Sequence, residues 1–475
     1  RSAALRGEDE AMMGSAKMRK VLVIGLDCAA PELVFDRWRL DLPNIGRLIG
    51  AGLYGELEST IPPITIPAWM SMMTSKDPGQ LGLYGFRNRK DYSYDSMTLA
   101  TSLAVKEETA WDILARAGKT VTLIGVPPSY PPKRVNGHLI SCFMTPDANS
   151  AYTYPASLKA EVEALVGEYL FDAEGFRSDD KDRILKQIYL MTDKRFTVAR
   201  HLLQHKPWDF FMLVEIGVDR IHHGFWKYFD EGHRKHQAGS AFANAIRDYY
   251  IYLDGLIGQL LALIDDRTAV LIVSDHGAKR LEGGICINEW LMAEGYLTLR
   301  ETPKEITPFG KVAVAWERTR AWGEGGYYGR IFLNVKGREP EGTIEPSQYE
   351  TVRDEMVERL QRITDDMGRP IGVRVFKPQQ IYAECRGIPP DLIVYFGDLS
   401  WRSVGSVGYQ SIWTFENDTG PDDANHAQQG IVIVHDPHST RTGRVEGVRI
   451  VDIAPTILTL FGLSVPSGMQ GRSII

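Results

Sequence analysis

The side chains best suited to chemistry lie beside short apolar runs. Asp27 closes the run Val21–Asp27. Asp219 and His223 follow the run Phe210–Glu215, four residues apart, so on a helix they share one face. Asp275 and His276 end the run Ala269–Asp275, and Gly277 behind them permits a turn that aims both at one point. His426 stands in a loop ahead of Gly430 and the run Ile431–His435. Each alone has an ordinary explanation: an aspartate that ends a strand is usually a turn residue, and a lone loop histidine is usually solvated. Together, three aspartates and three histidines beside strand ends are what two divalent cations need, each taking three protein groups and keeping open positions. Mixed carboxylate and imidazole ligation suits Zn²⁺ and also Mn²⁺. Thr65, in Pro62–Trp69 ahead of the helical stretch Ala68–Met73, would stand at a helix N-terminus, where an anion is favoured. A metal-activated hydroxyl there is a nucleophile, whereas without the ligands Thr65 would be a simple cap.

The elements that must position these residues read as α/β. Val21–Asp27, Val121–Val126, Phe210–Glu215, Ala269–Asp275 and Ile431–His435 are continuously apolar, the pattern of strands covered on both faces of a parallel sheet. Asp179–Lys206 and Ala241–Asp265 carry helical periodicity. Ligands bind such sheets at the C-terminal strand edge. The stretch 279–425 differs: Trp316, Trp322 and clustered glycines, a strand-like Ile331–Lys336, a helix from Gln348 and another strand at Leu392–Phe396. It is expected to be an inserted cap subdomain, with 19–278 and 426–475 as a doubly wound three-layer αβα core. Residues 1–18 are expected to be a remnant or loose extension.

Composition narrows the partners. Of 475 residues, 44% are hydrophobic and 24% charged, ordinary for a globular chain. A net charge of −7 argues against a broad nucleic-acid face or an anionic-membrane binder, not against a small phosphorylated substrate. Cys28, Cys142, Cys286 and Cys385 are scattered, fitting reduced thiols rather than a disulfide framework. With no signal-like or membrane-length apolar run, a cytoplasmic protein is expected.

These motifs, in this order from about Arg19 to the end, resemble the alkaline phosphatase superfamily, and within it the type I phosphodiesterase/nucleotide pyrophosphatase branch of predicted phosphohydrolases and phosphomutases. The resemblance implies the alkaline-phosphatase-like core. It also implies one ion on Asp27, Asp275, His276 and Thr65 and a second on Asp219, His223 and His426, with a phospho-threonine intermediate on Thr65. His222 is one residue off the D-x-x-x-H spacing. Many diesterases of the branch carry an asparagine after the proline of the nucleophile block; here that position is Ala68. The expected reaction is hydrolysis of phosphodiester or nucleotide pyrophosphate bonds. The alternatives are a phosphomonoesterase for a small phosphorylated metabolite, a phosphomutase, or a metal-binding protein without turnover. No cysteine fits the sulfatase motif, and no G-x-G-x-x-G follows the first strand. Arg87, Lys279 and Trp322 are the candidate substrate contacts, with Tyr84, Arg89, Lys90, Arg280 and Tyr327 beside them.

Overall fold

The computed structural model describes residues 19–475; the expectation for 1–18 lies outside the described residues. Twelve strands matter for the site. In chain order they are β1 (Lys20–Leu26), β2 (Leu53–Glu58), β3 (Val121–Ile124), β4 (Gly137–Ile140), β5 (Thr153–Tyr154), β6 (Phe210–Glu215), β7 (Thr268–Val273), β8 (Gly277–Arg280), β9 (Ala424–Ala427), β10 (Gln429–His435), β11 (Gly443–Arg444) and β12 (Val448–Arg449). All but β8 and β9 form one 10-stranded sheet, ordered β11-β2-β10-β7-β1-β6-β3-β4-β5, with β12 also paired to β2.

β7, β1, β6, β3 and β4 run parallel. Successive β1 side chains point to opposite faces. Leu22, Ile24 and Leu26 pack under α1 (Pro43–Ala51), α4 (Lys181–His205), α5 (Gly217–Phe229) and α6 (Ala245–Leu261). Val21 and Val23 pack under α2 (Thr65–Thr74), α3 (Ala110–Arg116) and α7 (Ile453–Leu460). Helices on both faces make the three-layer α/β fold, and each fully buried aliphatic side chain contributes about 1.5–3 kcal/mol.

Two strands differ from their sequence patterns. β10 is continuously apolar and buried, yet it runs antiparallel to both neighbours, β7 and β2. The chain reaches it from the ligand edge of the sheet, so it must run back across. β2 alternates between buried and open residues, because it lies towards the rim, and its apolar signal is diluted accordingly.

The insertion leaves and returns through the antiparallel pair β8 and β9, and Lys279 lies opposite Asn425 there. Inside it, Ala321–Glu324, Gly329–Leu333, Leu392–Tyr395 and Arg374–Phe376 form a four-stranded antiparallel sheet. That sheet and the helix Tyr349–Leu360 share a separate core that includes Trp322, Phe332, Met356 and Leu392. No described helix is long and apolar enough to cross a membrane.

Candidate metal centre and nucleophile

Topology brings the candidate residues to one sheet edge. Asp27 follows β1, and its backbone N–H donates to the Glu215 carbonyl of neighbouring β6 at 3.1 Å. Asp219 lies in the first turn of α5, just beyond β6, and His223 one turn later. Asp275 and His276 form the turn between β7 and β8. His426 was expected in a loop but lies on β9, opposite Ala278. Because β10 is antiparallel, the segment before it stands at the edge where the parallel strands end. Thr65 is the first residue of α2, and Ile64 before it provides no side-chain cap. The first-turn N–H groups there are therefore left to an incoming anion.

The candidates form three groups that share residues. Asp27, Asp275 and His276 form one; Asp219 and His426 cluster with the same His276; and Asp219 and His223 approach Cys28. Within each group the ligating atoms lie within 4.8 Å of one another. His276 Nε2 is 3.1 Å from Asp275 Oδ2, 3.7 Å from Asp27 Oδ1 and 3.4 Å from Thr65 Oγ1. Asp219 Oδ1 is 3.2 Å from His223 Nε2 and 3.7 Å from His426 Nε2. All of these side chains are buried.

Their other polar atoms are tied down. Trp69 Nε1 donates to Asp27 Oδ2 at 2.8 Å, and the Cys28 N–H donates to Asp275 Oδ1 at 3.2 Å. His223 Nδ1 bonds Asp422 Oδ1 at 2.6 Å, and His426 Nδ1 bonds the Pro63 carbonyl at 2.7 Å. Among the described residues, Asp27 Oδ1, Asp275 Oδ2, His223 Nε2 and His426 Nε2 have no hydrogen-bond partner despite complete burial. Leaving such atoms unpaired costs about 1–3 kcal/mol each, more when charged. Imidazoles held through Nδ1 with Nε2 free, and carboxylates with one oxygen held and one free, are the form metal ligands take. The residues fit divalent cations.

Electrostatics agree. Burial and the neighbouring Asp275 push the Asp27 carboxyl well above its usual range. Burial alone would lower His276 and His223, but the facing carboxylates outweigh it: Asp275 and Asp27 lift His276, and Asp422 and Asp219 lift His223, each to about 9. Burial, reinforced by His276, holds His426 well below the usual histidine value. Carboxylates packed this closely hold their nearest imidazoles charged, so the cluster is short of positive charge.

Close packing fixes the arrangement. A Cβ on Gly25 would lie 2.5 Å from the Trp69 ring, the ring that holds Asp27. Cys28 adopts φ +69°, a left-handed conformation that is uncommon for a residue with a side chain. His222 points away from the cluster; its Nε2 lies 3.2 Å from the Tyr250 hydroxyl, and burial lowers it to about 3.

The candidate substrate contacts separate. Arg87 is exposed at the mouth of a cavity that Arg220 and Tyr327 also line. Lys279 instead bonds Asp398, its Nζ 2.8 Å from the carbonyl, and lines a different cavity. Trp322 is 2% exposed in the insertion core, against Phe332, Tyr94 and Trp316. Its apolar surface is spent on packing, so it is not available to a ligand. Tyr84 is buried with its hydroxyl on the Arg386 carbonyl, and Arg89 is paired with Glu339. Tyr327 does reach the centre: its ring stacks on His426 at 3.9 Å. Sequence reasoning missed Trp69 and Asp422. Trp69 reads in the sequence as a plain core residue and is 42 positions from Asp27, and Asp422 is 199 positions from His223.

The sequence model of the family described as type I phosphodiesterase / nucleotide pyrophosphatase matches residues 21–423. No curated protein sequence matches the chain. Among solved structures, murine ectonucleotide pyrophosphatase/phosphodiesterase 5, an inactive variant in complex with AMP, is similar at 13% identity. The match covers 94% of this chain and 96% of that one, with a TM-score of 0.54. The human form of that protein aligns at 12% identity over 96% and 97% of the two chains, also with a TM-score of 0.54. At such identities the likeness concerns the fold, an alkaline-phosphatase-like α/β core.

Proposed function

The chain belongs to the type I phosphodiesterase / nucleotide pyrophosphatase family and is a hydrolase of phosphoric ester bonds; from that premise we propose that it cleaves phosphodiester or nucleotide pyrophosphate bonds with Thr65 as nucleophile. The observation that carries the proposal is the set of four buried, unpartnered ligand atoms, two of which, Asp275 Oδ2 and Asp27 Oδ1, lie 3.1 and 3.7 Å from the His276 Nε2 that the Thr65 hydroxyl meets at 3.4 Å. Asp27, Asp275, His276 and Thr65 would hold one divalent cation, and Asp219, His223 and His426 the other, with zinc favoured by the imidazole share and manganese also suited. Two bound cations supply charge that lowers the pKa of a coordinated hydroxyl and offsets negative charge on phosphoryl oxygens.

The chain's own groups do the rest. Thr65 Oγ1 bonds to phosphorus as the ester bond to the leaving oxygen breaks, giving phospho-Thr65. Water then cleaves that bond and returns the hydroxyl. The free N–H groups at the start of α2 and the dipole of that helix face the phosphoryl oxygens. They are donors available where Ala68 replaces the asparagine of many diesterases. Trp69 and Asp422 hold Asp27 and His223 in orientation. The AMP bound by the murine relative supports a nucleotide-bearing substrate.

The test is initial rates on a nitrophenyl nucleotide diester and a nitrophenyl monoester, with Zn²⁺ and Mn²⁺ in parallel. Preference for the diester supports the proposal. Preference for the monoester would redirect it to a phosphorylated metabolite.

A further inference from the structure

Beside the metal cluster lies a cavity of about 380 Å³ whose wall contains Arg87, Arg177, Arg220, Arg330 and Arg402, together with Tyr327, and no carboxylate side chain. Tyr327 belongs to both sites. Its ring stacks on His426, while the guanidinium carbons of Arg177 and Arg402 lie 5.6 and 5.5 Å from its centroid.

The counter-charges behind this wall are thin. Among the described residues Asp422 is the one carboxylate paired with Arg177 (Nε to Oδ2, 3.0 Å) and Arg402 (Nη1 to Oδ2, 3.2 Å), and it also bonds His223. Arg402 is 5% exposed, and its Nε has no hydrogen-bond partner among the described residues. Burial, countered by Asp422 and reinforced by Arg177, draws its guanidinium below the usual arginine value. Arg220 is matched by Asp172 and Asp219, but Arg330 reaches Glu324 only at 3.9 Å, and Arg87 is exposed. A buried guanidinium with an open N–H costs free energy unless an anion completes it. The planar fork of arginine matches phosphate oxygens, and several forks around one cavity suit a dianion.

We infer that this cavity binds a second phosphoryl group of the substrate, separate from the scissile one, so that the preferred substrates are phosphate esters that carry a further terminal phosphate. The inference deepens the proposed function and rests on it, since the scissile group is taken to lie at Thr65.

The experiment compares inert ligands on metal-loaded Thr65→Ala protein by calorimetry. The ligands are alkyl monophosphates and α,ω-alkyl bisphosphates with linkers of increasing length, so that the spacing need not be known beforehand. At least one bisphosphate is expected to bind about 30-fold or more tighter than its monophosphate. Arg330→Gln and Arg87→Gln, which do not touch Asp422, are expected to shrink that ratio severalfold, and Arg402→Gln to remove most of it. No bisphosphate exceeding its monophosphate by more than about threefold would overturn the inference, as would an equal gain from a terminal carboxylate in place of the second phosphate. Failure of the underlying reading shows separately. A wild-type chain that hydrolyses neither diesters nor monoesters, yet keeps the bisphosphate gain, would lose the proposed reaction and retain the anion site. A chain that hydrolyses diesters with no bisphosphate gain would do the reverse.

Discussion

At the edge of the central sheet, the candidate ligands gather near the ends of the parallel strands, and Asp27, Asp275, His223 and His426 each have one polar atom held by a neighbour and one without a partner. The 279–425 insertion is built differently. It has its own core and four-stranded sheet, and what it brings to the centre is a ring, Tyr327, a guanidinium, Arg402, and a carboxylate, Asp422, from three separate segments. The sheet edge presents groups suited to bond making. The insertion presents groups suited to recognition and orientation. The division means that reaction type and substrate choice can change independently except at the residues that join the two regions, Asp422 together with Tyr327 and Arg220.

The largest expected effect tests the sheet edge. Thr65→Ala should leave two divalent ions per chain by elemental analysis while lowering turnover by ~10,000-fold, or about 5 kcal/mol of barrier. Substantial residual turnover would remove Thr65 from the chemistry and erase the contrast between the regions. Chelation should also abolish turnover, with recovery on adding Zn²⁺ or Mn²⁺. It should lower the melting temperature as well, because Asp27, Asp275 and Asp219 would again face one another without cations. An unchanged melting temperature after verified metal removal would mean that the carboxylates do not need the ions.

The next effect tests whether the insertion core stands apart from the centre. Trp322→Ala removes a buried indole packed against Phe332 and Tyr94 and should cost about 3–5 kcal/mol of stability. Metal stoichiometry should stay the same at temperatures where the variant is folded. Lost metal in a folded variant would show that insertion packing supports the ligands directly.

What could be read in the sequence divides along the same line. The positions of Asp27 and the Asp275-His276 pair were legible because they close wholly apolar runs, although Asp27 alone reads as a turn residue and only the full set pointed to cations. The shared helix face of Asp219 and His223 was legible from their spacing, although alone the pair reads as a cap and a surface histidine. The strand around His426 was not, because its partner β8 lies across the whole insertion and its own four residues carry no periodicity. Trp322 looked like a contact residue because composition shows an aromatic without showing what covers it. The arginines of the second cavity come from positions 87 to 402, and no local pattern can bring such distant residues to one wall.

The smallest effect addresses the junction itself. Asp422→Asn keeps the shape and an oxygen for the His223 Nδ1–H, but removes the charge that burial, His223, Arg177 and Arg402 surround. Loss of an outer partner of this kind weakens metal binding by about 10–100-fold, or roughly 1.4–2.8 kcal/mol. Turnover at limiting metal should fall accordingly and return when metal is added in excess, which separates lost affinity from lost chemistry. The metal dissociation constant, measured by competition with a chromophoric chelator, is the direct readout. If the constant does not move while substrate affinity does, Asp422 serves the arginines alone, and the two regions are more independent than the shared carboxylate implies.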